Sequence, residues 1–292
     1  MRITTLLDAN NLATRVLFTG PIGATTDKPD YDMFKYIVVD SIYRTMLKTR
    51  CSEIILAVDS INVWRKDIFP RYKESRKLKR AKGLQVDWTR FYKEFDDLLS
   101  NIRKYLPFKV LKVPRAEADD IIGSFTLHYT DRDIVIISTD EDYKQLISPK
   151  VRLYQPIKHK WVECSNPKAF LVLKCVIGQP KDDIFNVLTP EDWPAGKRKP
   201  GVGEDNILHL MHSGNLSDWL IQEGALKRFD QNQRLIDFRH IPKYIVQSVI
   251  SQYEGYTMPS LDNAYTFFDL YNFRSYKDNF HQVEGNLTRL YS

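Results

Sequence analysis

Cysteine is nearly absent: Cys51, Cys164 and Cys175 stand alone in 292 residues, with no C-x-x-C pair. That count argues against a disulfide framework and a thiolate zinc site, and makes a reducing cytoplasm the natural setting. No apolar run approaches the roughly 18 residues of a membrane span. The start, MRITTLLDANN, turns polar after a short apolar stretch and reads as a first strand, not a signal peptide. Internal repeats and low-complexity tracts are lacking. The histidines (His128, His159, His209, His212, His240, His281) show no metal-ligand spacing tied to acids, and no Ser/His or Cys/His nucleophile pattern stands out. What is abundant is core material: 43% hydrophobic residues with 15 Phe, 16 Tyr and 5 Trp exclude disorder as the main state. The length fits one large domain or two modest ones.

Charge is informative by position. The chain carries +6, yet residues 65–82 alone hold nine basic residues (Arg65, Lys66, Arg71, Lys73, Arg76, Lys77, Lys79, Arg80, Lys82) against Asp67 and Glu74. The rest is close to neutral. A cationic strip on a neutral chain suggests an element that binds a polyanion.

Short apolar runs alternate with amphipathic stretches through the first half. Strands are expected at 3–7, 53–58, 108–113 and 133–137, with helices at 31–49, 86–106 and 117–129. This alternation predicts an α/β fold with a parallel, doubly wound sheet. After about residue 150 a hairpin (151–154 with 160–162) precedes mainly helical signals at 168–177, 205–212, 216–223 and 242–253. A Pro/Gly/basic loop, TPEDWPAGKRKPGVG, separates them. The aromatic-rich stretch 261–292 has spacings of three and four, which predict helices packed on the body.

The acids carry the chemistry. Asp8 and Asp59 each end a predicted strand, Asp140 and Asp142 follow another, and Glu117, Asp119 and Asp120 open a helix. The carboxyl edge of a parallel sheet is where ligands bind, so four segments bring their carboxylates to one place. Taken singly, Asp119 or Asp142 reads as readily as a helix cap or a solvated loop residue. Taken together, such crowding is prohibitive without cations. Oxygen-only ligands suit Mg²⁺ or Mn²⁺, and two ions about 3.5–4 Å apart can clamp a phosphodiester.

LLDANN, AVDS, EADD and STDEDYKQL, in this order, resemble the 5′-nuclease (flap endonuclease) superfamily. Within it, the similarity is greatest to the phage 5′→3′ exonucleases called ribonuclease H in T-even-type phages. WRKDIFPRYKESR (64–76), WTRFYKEFDDLLSNIRKYLP (88–107) and LIDFRHIP (235–242) support that subgroup. The resemblance implies a 5′-nuclease/PIN-like core over 1–180, with a basic helical arch at about 62–90. It implies a helical DNA-binding region, 181–292, containing a helix–three-turn–helix-like element. Asp8, Asp59, Glu117, Asp119, Asp120, Asp140, Asp142, Asp182 and Asp183 become the expected metal residues, holding two Mg²⁺ ions or Mn²⁺ as substitute. Lys73 and Arg76 become the catalytic cations on the substrate phosphate. Arg65, Lys66, Arg71, Tyr72, Lys77, Lys79, Arg80 and Lys82, with Lys197, Arg198, Lys199, Gly201 and Gly203, become nucleic-acid contacts. The Gly201–Gly203 turn could also hold K⁺.

Two departures matter. The family's Gly-Asp-x-x-Asp-Asn signature reads here Gly178-Gln179-Pro180-Lys181-Asp182-Asp183, so Gln179 stands where an acid is usual. A lysine expected two residues after the glycine turn is Asp205. The resulting expectation is a metal-dependent 5′→3′ nuclease that removes RNA primers and adjacent DNA in replication, with flap and fork cleavage. Its substrates would be RNA–DNA hybrids and nicked, flap or forked duplex DNA. A single-strand-binding protein or sliding clamp are expected partners, and the chain is expected to be monomeric and cytoplasmic (host cytoplasm, if phage-encoded). The alternative is a structure-specific binding protein whose catalysis Gln179 has weakened. A dehalogenase-like phosphatase also starts from an Asp after the first strand, but needs a second acid where Asn10 stands.

Overall fold

The computed structural model describes residues 2–19, 21–23, 29–76, 86–190, 192–193 and 200–291. Its centre is one sheet of β1 (Ile3–Asp8), β2 (Glu53–Ala57), β3 (Lys109–Leu111), β4 (Asp133–Ile137), β5 (Val151–Gln155) and β6 (Lys160–Val162), in the order β3-β2-β1-β4-β5-β6. Strands β1 to β5 pair in parallel, and β6 returns antiparallel on β5. The doubly wound sheet is therefore present, with the hairpin as its antiparallel edge.

Both faces are covered, and strand alternation shows how. Leu7, Ile54, Leu56, Val135 and Ile137 point into one core, and Leu6, Ile55, Ala57, Ile134 and Ile136 into the other. The first core is closed by α1 (Ala9–Thr19), α2 (Tyr31–Thr49) and α4 (Trp88–Tyr105). Phe91, Phe95, Leu98, Leu99 and Ile102 line one side of α4, at helical spacing. Asp30 and Asp87 cap α2 and α4, accepting N–H bonds from Met33 and Arg90. The helix after β1, unassigned in the sequence reading, hides behind the two asparagines of its first turn.

The second core is closed by α5 (Ala118–His128) and α10 (Lys243–Glu254). Earlier in the chain, α3 (Arg65–Ile68) leads the basic strip, while between α5 and α10 the helices α6 (Pro167–Ile177), α7 (Glu204–His212), α8 (Leu216–Gln222) and α9 (Leu226–Ile236) form a helical layer. Phe69 and Tyr72 pack with Leu171, Cys175, Ile184, Phe185, Leu235 and Ile236, fastening the strip's base to α6 and α9. The last helices, α11 (Asn263–Leu270), α12 (Arg274–Asp278) and α13 (Phe280–Leu287), fold back on the first core. Phe267, Phe268, Phe273 and Tyr276 are buried there, so the aromatic tail is packed as its spacing predicts.

Sheet order leaves one topological switch, between β1 and β4, which is where a crevice opens in such folds. Beside it, Gly178 ends α6 at φ 71°, ψ −170°, a backbone region closed to other residues. A Cβ there would sit 2.5 Å from the Ile184 carbonyl oxygen. This glycine alone permits the tight turn that pairs Gln179 with Ile184. We expect Gly178→Ala to cost more than about 2 kcal/mol. Gly214→Ala, at φ 77° but with open space around it, should cost only about 1 kcal/mol. Urea unfolding midpoints for the two variants check the difference; equal losses would refute the steric account.

Candidate active site

Each strand that reaches the switch delivers acid at its carboxyl end. Asp8 closes β1, where its Oδ1 accepts the Asn11 N–H at 2.9 Å and Ser138 Oγ donates to Oδ2 at 3.3 Å. Asp59 follows β2, held by the Ala118 N–H at 2.7 Å, while its own N–H goes to Asn10 Oδ1 at 2.8 Å. Asn10, read earlier only for the acid it is not, thus fixes the second strand end. Glu117 caps α5 in a reciprocal capping box with Asp120. Beyond β4, Asp140 Oδ1 accepts the Asp142 N–H at 2.9 Å, and Tyr143 is buried beneath.

A buried guanidinium organises the α5 acids. Arg65 is 2% exposed. It donates to Glu117 Oε2 and Asp120 Oδ2 at 3.0 Å each, lies 3.5 Å from Asp119 Oδ1, and bonds the Leu235 carbonyl at 2.8 Å. Trp64 Nε1 adds a bond to Asp120 at 3.0 Å, and the Tyr72 hydroxyl donates to Glu117 at 2.8 Å. Lys73 Nζ reaches Glu117 Oε1 at 2.6 Å and lies 3.8 Å from Asp182, which also pairs with Arg76. Lys73 holds φ 55°, an uncommon left-handed backbone that its N–H bond to the Asp182 carbonyl helps secure.

Several expected contacts are corrected here. Arg65 and Tyr72 cannot meet nucleic acid as they stand, because both are buried and spent on Glu117 and its neighbours. Asp183 has a different partner: at φ 61°, its Oδ2 accepts the Ser75 N–H of the strip at 2.8 Å. Lys66 and Arg71 remain at the surface, Arg71 lying over the Phe185 ring. Lys77, Lys79, Arg80, Lys82, Lys197, Arg198 and Lys199 lie outside the described residues. Gly201 and Gly203 are exposed; Gly203 precedes α7, and among the described residues, its chain neighbours aside, no atom lies within 4 Å of a Cβ at Gly201.

Lys181 was missed. Its Nζ lies 2.6 and 2.8 Å from the two Asp140 oxygens and 2.7 Å from Asp142. Gln179 is buried and donates its amide to Asp142 Oδ1 at 2.8 Å. The only sequence cue was a lysine within the departed signature.

Electrostatics divide the acids into two kinds. Burial would raise Glu117, but Lys73 and Arg65 overcome it and bring it down to about 2. Asp8 is pushed up to about 7 by burial and by Asp59 and Asp140, and Asp142 to about 6 by burial and Asp140. Burial raises Asp59 and Asp119 as well. Glu117, Asp119 and Asp120 each place an oxygen within 4.8 Å of the others, and Asp119 Oδ1 is buried without a hydrogen-bond partner among the described residues. An oxygen-only, under-neutralised set of this kind fits a hard divalent cation.

Comparison with known proteins agrees with this geometry. Residues 3–172 match the model of the 5′-3′ exonuclease N-terminal resolvase-like domain, and residues 166–279 match that of the T4 RNase H C-terminal domain. The chain belongs to the 5′-3′ exonuclease family, whose members are phosphodiester hydrolases. It is 25% identical to ribonuclease H of Enterobacteria phage T4, over 83% of this chain and 84% of that protein. It is 27% identical to the flap endonuclease Xni of Aliivibrio salmonicida, over 54% of this chain and 58% of that one. Among solved structures, the bacteriophage T5 flap endonuclease, in complex with DNA and metal ions, aligns with a TM-score of 0.68 at 17% identity. That alignment covers 87% of this chain and 98% of the other. The zinc-bound T5 5′-exonuclease aligns at 0.67 and 18% identity, over 92% and 98%. Among the described residues, no helix is long and apolar enough to cross a membrane.

A raised carboxyl pKa means that the native state binds more protons than the unfolded chain, so stability falls as pH rises towards the native pKa. For Asp8 and Asp142 that window ends at about 7 and 6. Glu117 acts oppositely, but only below its ordinary value of 4.5. Between pH 5 and 7 the metal-free protein should therefore lose several degrees of melting temperature, and added Mg²⁺ should restore them. A flat or rising melting temperature in EDTA across that window would contradict this.

Proposed function

We propose that the chain is a divalent-metal-dependent 5′→3′ nuclease that hydrolyses phosphodiesters near the 5′ ends of RNA primers, flaps and nicked or forked duplexes. The observation that carries the reading is the convergence of Asp8, Asp59, Glu117 with Asp119, and Asp140 with Asp142 on the β1/β4 switch, from four strand ends. Those acids and Asp182 would hold two Mg²⁺ ions, or Mn²⁺. Bound there, the ions supply water activation and neutralise charge at the leaving oxygen.

The chain's own residues do the rest. Asp120, with Oδ2 committed to Trp64, Arg65 and the Glu117 N–H, orients Glu117 rather than reaching substrate. Lys73 and Arg76, already at the acid rim, are placed to meet an incoming phosphate, whose transition-state charge carboxylates cannot stabilise. Lys66 and Arg71 continue that cationic face. We take 1–180 as the nuclease core and 181–292 as a helical region that grips duplex. There, no described residue beyond its chain neighbours crowds Gly201, so a phosphate backbone would be able to approach the Gly201–Gly203 turn, directly or through K⁺. A replication role, with single-strand-binding protein or sliding clamp nearby, accords with primer removal.

Gln179 supports a second reading, a junction-binding protein with weakened turnover, since it presents an amide donor to Asp142 where the family has an acid. A 5′-labelled flap and primer–template set, with Mg²⁺ titrated, separates the two. Short 5′ products that fall at least about 100-fold in Asp140→Asn, with DNA binding kept, establish the nuclease. Binding without products in the wild type establishes the alternative. Under the nuclease reading, Gln179→Asp should shift half-maximal Mg²⁺ to lower concentration; an unchanged requirement would show that the amide does not limit the second ion.

A further inference from the structure

The two halves of the acid cluster are neutralised differently. Around Glu117, compensation comes from Lys73 and from Arg65, and the Arg65 guanidinium is buried and carries a backbone bond as well, so it is a fixed part of the fold. Around Asp140 and Asp142, the ion pairs among the described residues are made by one ammonium, that of Lys181, whose side chain is 45% exposed. Its three N–H donors are spread over both Asp140 oxygens and Asp142 Oδ2, while Gln179 takes Asp142 Oδ1. The positive charge therefore sits between the two carboxylates, where a cation bridging them would have to sit.

The turn 178–184 brings it there. Gly178 opens the turn, Gln179 pairs with Ile184 across it, and Lys181 lies at its outer end beside Asp182. Two close carboxylates with no cation between them would repel strongly in this buried setting. An exposed, flexible lysine answers that need without being locked in, because its stem can swing outwards into water.

Resting on the reading of this site as a divalent-metal centre, we propose that Lys181 is a resident, displaceable counter-ion of the Asp140–Asp142 pair. A cation enters this half of the site only in exchange for the ammonium. The half built on Glu117 and Asp119 keeps its buried Arg65 whether or not Lys73 leaves Glu117. The protein thus has two cation sites of unequal affinity, and the weaker one is set by a lysine of its own.

The test is direct Mn²⁺ binding, read from the electron paramagnetic resonance of the free ion, with melting temperatures in EDTA and in excess Mn²⁺. The variants are Lys181→Met, the milder Lys181→Gln and the charge-retaining Lys181→Arg. The neutral variants should tighten the weaker Mn²⁺ class by at least about tenfold, because no ammonium competes. They should also melt below wild type in EDTA and gain more on Mn²⁺ addition, while Lys181→Arg stays close to wild type. If the neutral variants match wild type in Mn²⁺ affinity and in EDTA melting temperature, the exchange is refuted and the metal centre stands. If neither wild type nor variants bind Mn²⁺, the metal centre itself falls, and the exchange with it.

Discussion

Carboxylates crowded on the edge of one sheet repel, and the chain must neutralise them from within before any substrate arrives. Arg65 is the residue on which that depends most. Its guanidinium is inaccessible, joins three acids that open α5, and bonds the backbone of α9. Removing one partner of such a buried group leaves the others uncompensated, a loss of about 3–5 kcal/mol in comparable cases. The same side chain ties the basic strip, the acidic helix start and the helical layer into one unit. Fold and site therefore share a single electrostatic joint.

This joint explains why the basic strip is not uniform. Seen as sequence, its nine cations are equivalent members of a polyanion-binding element. Seen in the fold, Arg65 faces inwards to the acids, Lys73 and Arg76 stand at the rim, and Lys66 and Arg71 remain at the surface. Tyr72 belongs with Arg65, because its hydroxyl is spent on Glu117. Net charge says how much cation a segment carries but nothing about which members turn inwards. That choice follows from the packing of Phe69 and Tyr72 against α6 and α9, which only the tertiary structure reveals.

The acids were legible for the opposite reason. An Asp that ends an apolar run is tied to the strand before it, and parallel strands put their carboxyl ends on one edge. Asp8, Asp59 and Asp140 needed no knowledge of loops to be grouped. Asp183 and Lys181 sit in a turn, where direction is set by backbone angles; there Asp183, at φ 61°, points back to Ser75 while Lys181 reaches the acids. Neighbours in sequence thus serve opposite ends of the site. The helix Ala9–Thr19 escaped notice because its asparagines look like a turn, yet Asn10 and Asn11 hold the strand ends at Asp59 and Thr139.

Cation placement also has a direction. From the deepest acids outwards, the compensating groups run from a fixed guanidinium, through Lys73 bonded to Glu117 at 2.6 Å, to the half-exposed Lys181 and Arg76. Desolvation penalises free charge most at depth, so the irreplaceable cation belongs inside and the exchangeable ones at the mouth. Under the nuclease reading, an incoming phosphate would meet the outer cations first, and each one that turned to the phosphate would free a carboxylate to hold a divalent ion. Substrate and metal would then assist each other's entry through Lys73, Lys181 and Arg76. On that reading, the charge that offsets the carboxylates within the fold would also be the charge that receives the nucleic acid.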